Sequence, residues 1–140
     1  MIVTRDRLNA IYDRTSGYCH VCGKKLCFVN YGQFGRRGAW EIEHSVARVN
    51  GGTDRLCNLY AACISCNRKK QHFTTRTARR WHGRSRAPLS VTRRRRARLE
   101  NALAGASLGL LCGLPFGGIG VLAGPILGAL IGERQNPDQR

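Results

Sequence analysis

Two Cys-x-x-Cys pairs place the strongest constraint on how this chain can fold. Cys19 and Cys22 form the first pair, Cys63 and Cys66 form the second, and residues 23–62 lie between them. Each pair spans one edge of a tetrahedron, so the four thiolates predict one closed, structural Zn²⁺ site. Four buried or redox-active cysteines are the weaker alternative. A catalytic zinc is weaker still, because four cysteines leave no open coordination position.

The basic residues indicate a polyanionic partner. The 140 residues include 24 Lys and Arg but only 8 Asp and Glu, for a net charge of +16. Residues 76–99 contain arginines but no acidic residue. Such an excess predicts binding to nucleic acid or to an anionic membrane face. The cysteine spacing, and the lack of an apolar segment just after Met1, favour a reducing cytoplasm, either bacterial or phage-infected.

Local patterns predict a small α+β core followed by appendages. Thr4 can cap a helix over residues 5–14, residues 40–44 have strand character, and residues 67–74 continue the second cysteine pair as a helix. We expect four parts: a domain over 1–75, an Arg-rich linker or DNA-binding arm over 76–99, an apolar helical segment over 100–134 and a polar tail over 135–140.

Polar residues between and just after the cysteine pairs form an ordered motif. The order is Glu41-Ile42-Glu43-His44, then Gly51-Gly52, then Asn58, then Asn67 directly after Cys66. This arrangement resembles the HNH endonucleases of the zinc-stapled type, which are found in phages, restriction systems and mobile elements. The resemblance covers about residues 5–72. It implies a ββα-metal core and an enzyme that hydrolyses phosphodiester bonds of double-stranded DNA with the help of a metal ion.

The resemblance also implies a role for each residue of the motif. His44 would take the proton of the attacking water, and Glu43 and Asn67 would bind a hard catalytic Mg²⁺ or Mn²⁺. Asn58 would brace the loop that carries His44. The family commonly has Asp where this chain has Glu43, so Glu41 competes for the same ligand role. Adjacent strand residues face opposite sides, so Glu43 and His44 can share one site only if the strand bends or ends there.

Cationic residues and one tryptophan are expected to hold the DNA. Arginine binds phosphate through two parallel hydrogen bonds, and a tryptophan can stack on a base or wedge into the minor groove. The expected DNA-binding residues are Arg36, Arg37, Arg68, Lys69, Lys70, Arg76, Arg79, Arg80 and Trp81. The arginine cluster over 93–98 directly precedes the apolar segment, so both DNA and anionic lipid remain open as its partner.

The segment from residue 102 to residue 132 contains no charged residue. Its glycines recur every fourth residue, in one run over 105–117 and a second over 120–132. This small-xxx-small pattern lets helices pack closely in lipid, and Pro115 predicts a break between the two runs. The sequence allows a kinked span, a shallow hairpin in the membrane, self-association through the glycines, or a helical pair that packs in water. Membrane association is favoured because glycine is costly in a water-exposed helix.

Three functions follow from these patterns. The preferred one is a nuclease, because the motif over residues 41–67 is intact. The alternatives are a non-catalytic, zinc-stapled DNA-binding module and a membrane-active glycine-zipper protein.

Overall fold

The computed structural model describes residues 3–139, and the chain divides into two compact units, Met1–Val91 and Thr92–Arg140. The first unit contains α1 (Arg5–Asp13), β1 (Trp40–His44), β2 (Leu59–Cys63), α2 (Ile64–Lys70) and α3 (Thr75–Arg80). Helix α4 (Val91–Gly113) and helix α5 (Gly117–Arg134) follow. The predicted α+β fold class is confirmed.

The first unit is a two-stranded sheet with helices packed on it. β1 and β2 pair antiparallel, with Trp40 opposite Cys63 and His44 opposite Leu59. Trp40 and Leu59 are fully buried in a core that also takes Ile11 from α1. Thr4 caps α1 by accepting a hydrogen bond from the backbone N–H of Arg7 (3.4 Å), as a threonine at this position favours.

The connection between β1 and β2 turns sharply at two glycines. Gly51 has a positive φ of 80°, a conformation that is strained for most other residues. At Gly52, an added Cβ would lie 1.8 Å from the carbonyl oxygen of Val46. The tight turn therefore requires glycine at both positions, and it returns the chain towards the end of β1.

The Arg-rich region over 76–99 does not form one extended arm. Its first residues belong to α3, and its last residues belong to α4, which starts at Val91. The boundary expected between residues 99 and 100 therefore falls inside one continuous helix. The expected polar tail over 135–140 contains a short 3₁₀ turn, Pro137–Gln139, and residue 140 lies outside the described residues.

Helices α4 and α5 form an antiparallel hairpin. α4 ends at Gly113, the 3₁₀ turn Leu114–Phe116 follows, and α5 starts at Gly117. A Cβ at Gly105 would lie 2.0 Å from the carbonyl oxygen of Gly128, and one at Gly113 would lie 2.1 Å from that of Gly120. The two backbones are thus in direct contact.

The chain reverses direction at the turn around Pro115. Of the alternatives that the sequence leaves open, the structure therefore shows a hairpin and not a single kinked helix. Among residues 3–139, no helix combines the length and the hydropathy that crossing a membrane requires.

Candidate nuclease site and metal centre

The four paired cysteines lie together where β2 meets α2. Their sulfur atoms are all within 4.8 Å of one another, so the predicted cluster of metal-binding cysteines is confirmed. The backbone N–H of Cys63 donates to the sulfur of Cys19 (3.3 Å). Four sulfur donors at this spacing are compatible with zinc.

Three candidate catalytic residues line one open cavity beside this cluster. Glu41, His44 and Asn67 surround about 380 Å³ of space, together with Val3, Tyr31, Ile42 and Arg48. The amide of Asn67 donates from Nδ2 to the Glu41 carboxylate (3.0 Å). β1 supplies Glu41 and His44, and the first turns of α2 supply Asn67. A carboxylate and an amide in hydrogen-bond contact therefore share one cavity with a histidine.

His44 is held by two charged side chains that the sequence analysis missed. Its Nε2 lies 2.7 Å from the Asp54 carboxylate, and Arg48 donates two hydrogen bonds from Nη2 to the same carboxylate (2.8 and 3.0 Å). Hydrogen bonding with His44, and then with Arg48, lowers the pKa of Asp54. The signal was present in the sequence, since Asp54 lies two residues after Gly52, at the end of the turn that brings the chain back towards His44.

Glu43 lies elsewhere, in the interior under α2 and α3. Its fully buried carboxylate accepts from Lys70 Nζ (2.9 Å) and from the hydroxyl of Thr75 (3.2 Å). Burial raises the pKa of Glu43, while Lys70 opposes that shift. From the sequence, we expect Glu43 and Asn67 to bind one cation together. In the structure, Asn67 contacts Glu41 instead. The reason is packing: Lys70 from α2 and Thr75 from α3 engage the carboxylate of Glu43, whereas Glu41 lines the open cavity.

His20, between the first two cysteines, packs beside Glu43 but does not form an ion pair with it. Its Nε2 is 4.0 Å from the carboxylate, and its ring stacks on Tyr60 at 3.8 Å. Burial and then the Arg79 cation lower the pKa of His20 to about 2. The imidazole is thus neutral, and its contact with Glu43 carries no ionic attraction.

Asn58 ties the segment after His44 to the start of β2. Its Oδ1 accepts from the backbone N–H of Val46 (2.7 Å), and its Nδ2 donates to the carbonyls of Val46 (3.0 Å) and Thr53 (2.9 Å). In addition, Ser45 donates its backbone N–H to the carbonyl of Asn58 (2.8 Å). All these contacts lie on the loop that separates His44 from Asp54.

The expected DNA-binding residues divide into exposed and internal ones. Lys70 is buried against Glu43, and half-buried Arg79 donates from Nε to the carbonyl of His20 (3.0 Å). These two cations are engaged inside the domain, because a buried carboxylate accepts from Lys70 and a backbone carbonyl accepts from Arg79. Their position therefore differs from the expectation that both side chains face the DNA. The others are exposed: Arg36, Arg37, Arg68, Lys69, Arg76, Arg80 and Trp81.

Fold and site together define a small domain of one two-stranded sheet and three α-helices, with a cluster of four cysteines that could hold a metal ion. Residues 19–73 match the family model described as HNH endonuclease. This stretch is 55 of the 140 residues, and it contains all four clustered cysteines and the residues Glu41, His44, Asn58 and Asn67. A match to this family model indicates nuclease activity, metal binding and nucleic-acid binding in general terms. Comparison with the curated proteins gave no match, and neither did comparison with the solved structures.

Proposed function

We propose that the HNH domain hydrolyses phosphodiester bonds of double-stranded DNA with a hard divalent cation, Mg²⁺ or Mn²⁺. The observation that carries this proposal is the open cavity lined together by Glu41, His44 and Asn67. One carboxylate, one amide and one histidine supply oxygen ligands and a proton acceptor at the same place.

Glu41 and Asn67 are the residues that would hold the cation. Carboxylate and amide oxygens are the donors that hard cations prefer, and the two side chains already lie in hydrogen-bond contact. When bound, the cation would neutralise charge that develops on the phosphate and on the leaving oxygen. Glu43 is not assigned to this role, because Lys70 and Thr75 engage its buried carboxylate.

His44 would accept the proton of the attacking water. The lowered pKa of Asp54 keeps that side chain a carboxylate, which can only accept, so His44 would donate its Nε2 proton to it across 2.7 Å. In this tautomer Nε2 does not accept from Arg48 Nε, which lies 3.3 Å away, and Arg48 donates to the Asp54 carboxylate instead. The hydrogen bond to Asp54 leaves Nδ1 as the nitrogen with a free lone pair, which a general base needs. Asn58 would keep His44 in place through its bonds to the following loop.

The four-cysteine cluster would hold a structural Zn²⁺. Its donor set is closed and entirely thiolate, which suits a structural rather than a catalytic ion. Cys66 and Asn67 are neighbours in α2, so the ion would also fix the position of a residue in the cavity. Reduced cysteines are needed for this site, and a cytoplasmic location in a bacterium or a phage-infected cell would supply them.

Cationic side chains on the surface would bind the phosphates of the DNA backbone. Exposed Arg76 and Arg80, together with half-buried Arg84, line a cavity of about 460 Å³, and Lys69 lies 5.7 Å from the centre of the Trp81 ring. Guanidinium groups pair with phosphate, and an exposed indole can stack on a base. Binding of this kind is sequence-independent and weakens steeply with salt.

A supercoiled-plasmid nicking assay at low salt tests the proposal. The protein is loaded with zinc, and Mg²⁺ or Mn²⁺ is added or omitted, so that no chelator disturbs the cysteine cluster. We expect nicking only with added cation, and a loss of about 10²–10⁴-fold in His44→Ala, the range for removing a general base. His72→Ala is the matched control, because His72 is exposed and lies outside the cavity.

The two glutamates are compared in the same assay. Glu41→Gln should abolish cation-dependent nicking and leave the fold intact. If Glu43→Gln abolishes nicking without loss of stability while Glu41→Gln stays active, the assignment of the ligand is refuted. Salt-dependent DNA binding without any nicking by the folded, zinc-loaded protein would select the non-catalytic DNA-binding module instead.

A further inference from the structure

The hairpin of α4 and α5 exposes large apolar side chains on its outside. Leu103, Leu111, Ile119, Leu122, Ile126 and Ile131 are each at least 60% exposed. They lie on both helices and near both ends of the uncharged segment over 102–132. An apolar surface of this extent on one element marks a site of contact with a membrane or another protein.

The contact between the two helices does not use these side chains. Gly109 and Gly124 bring the backbones together, since a Cβ at Gly109 would lie 2.0 Å from the carbonyl oxygen of Gly124. Packing through small residues is the way in which helices associate in lipid. In water it is unfavourable, because glycine lowers helix stability and the apolar side chains stay hydrated.

The charges of the hairpin lie at its open end. Arg93, Arg95, Arg96 and Arg98 are exposed on α4, and Arg134 is exposed at the end of α5. The acids at this end are fewer: Glu100 pairs with Arg96, Asp138 pairs with Arg94, and Glu133 lies beside Arg134. The opposite end, at the turn Leu114–Phe116, carries no charge. This polarity matches a lipid leaflet with anionic headgroups, which attract clustered arginines.

We propose that the hairpin inserts into one leaflet of an anionic bilayer, with the turn Leu114–Phe116 in the hydrocarbon and the arginines at the lipid phosphates. The part of α4 from residue 102 to residue 113 is about 18 Å long at 1.5 Å per residue. This length exceeds half of the ~30 Å hydrocarbon core but falls short of all of it. Both ends of the hairpin therefore remain on the same side of the membrane.

The occupant is lipid rather than a second copy of the chain. A second hairpin packed in parallel would set its own arginine cluster against residues 93–98, where like charges repel. A second hairpin packed antiparallel would place each arginine cluster beside the uncharged turn Leu114–Phe116 of the other copy. An anionic headgroup layer meets both the arginines and the apolar side chains at the same time.

Flotation of the full-length protein with vesicles tests the proposal. We expect binding to phosphatidylcholine vesicles that contain phosphatidylglycerol, and at least tenfold less binding to vesicles of phosphatidylcholine alone. The double variant Leu122→Glu/Ile126→Glu places charges on the outer surface and should also lose at least tenfold. Val29→Glu is the matched control, because Val29 is 72% exposed in the first unit, Met1–Val91. The binding of this variant to the vesicles should equal that of the wild type.

The depth of insertion is measured with brominated lipids that quench tryptophan. Ile119→Trp, close to the turn, should be quenched more strongly than the wild type, whereas Val29→Trp should not. Absence of flotation, flotation that survives the glutamate variants, or a stable dimer that forms in place of vesicle binding would overturn the proposal. Plasmid nicking by the glutamate double variant separates this result from the nuclease proposal, because residues 122 and 126 lie outside the HNH domain.

Discussion

Replacement of Lys70 by methionine is the sharpest test of the interior that supports the site. Lys70 is 1% exposed, and its ammonium donates to the Glu43 carboxylate (2.9 Å) and to the backbone carbonyl of His44 (2.9 Å). Methionine fills a similar volume but offers no donor. The variant therefore leaves a buried carboxylate and a backbone carbonyl without their partner.

The expected loss of stability is large. Removing one partner of a buried ion pair costs about 3–5 kcal/mol, because the remaining charge stays buried and uncompensated. The total stability of a domain of this size is about 5–15 kcal/mol. At about 4–8 °C per kcal/mol for a small domain, the melting temperature should fall by about 12 °C or more.

The loss should also depend on pH, through Glu43. Burial raises the pKa of Glu43 in the folded protein above the ordinary value near 4.3. The contribution of this group to stability is therefore full below that ordinary pKa and is lost as pH rises through the folded pKa. Without Lys70, which lowers the pKa, the folded pKa rises further. The destabilisation by Lys70→Met should thus be greater at pH 8 than at pH 5.

Urea denaturation of the zinc-loaded protein, at both pH values, measures this effect. Each variant is compared with the wild type at the same pH, so that any titration of the metal site cancels. Lys69→Met is the matched control, because Lys69 is adjacent but exposed, and it should change stability by less than about 0.5 kcal/mol. Glu43→Gln/Lys70→Met should recover part of the loss. The reasoning would be refuted if Lys70→Met lowered the free energy of unfolding by less than about 1 kcal/mol, or if this decrease became larger as pH falls.

Three further outcomes follow from the site. Asn58→Ala removes the side-chain hydrogen bonds to Val46. We expect about 10²-fold slower nicking, because a displaced catalytic group loses its alignment. A wild-type rate would show that His44 keeps its position without these hydrogen bonds. Asp54→Asn should slow nicking at least tenfold, because an amide no longer selects one tautomer of His44, and Asp54→Glu should restore part of the rate; equal rates for Asn and Glu would argue against this orienting role. Removal of zinc by a chelator should unfold the first unit, and this unfolding would be seen as a red shift in the fluorescence of buried Trp40. Unchanged fluorescence would mean that the fold does not depend on metal binding by the four cysteines.

The sequence predicted those parts of the site that depend on local spacing. Two Cys-x-x-Cys pairs can close a tetrahedral site whatever the rest of the chain does, so the cluster could be inferred before any fold was known. The same holds for Asn67, which must lie beside the metal cluster because it follows Cys66. Thr4 and Pro115 likewise act locally, one at the start of a helix and the other at the break between two helices.

Choosing between Glu41 and Glu43 required the tertiary structure. Both residues alternate with Ile42 on β1, so strand periodicity places them on the same face and cannot separate them. The difference comes from what covers that face. Thr75 from α3 and Lys70 from α2 close over Glu43, whereas Glu41 stays at the open cavity. The packing of α2 and α3 onto the sheet decides which of the two carboxylates remains at the open cavity.

The burial of Lys70 was open to inference from the sequence. Lys70 follows Cys66 by four residues, and residues four apart share one face of a helix. Because Cys66 must point to the metal cluster, Lys70 must point inward with it, even within the basic run Arg68-Lys69-Lys70. Helix α2 is seven residues long, which is too short for independent stability. Its position therefore depends on the metal cluster at one end and on the Lys70–Glu43 pair at the other, and these two anchors together direct Asn67 to Glu41.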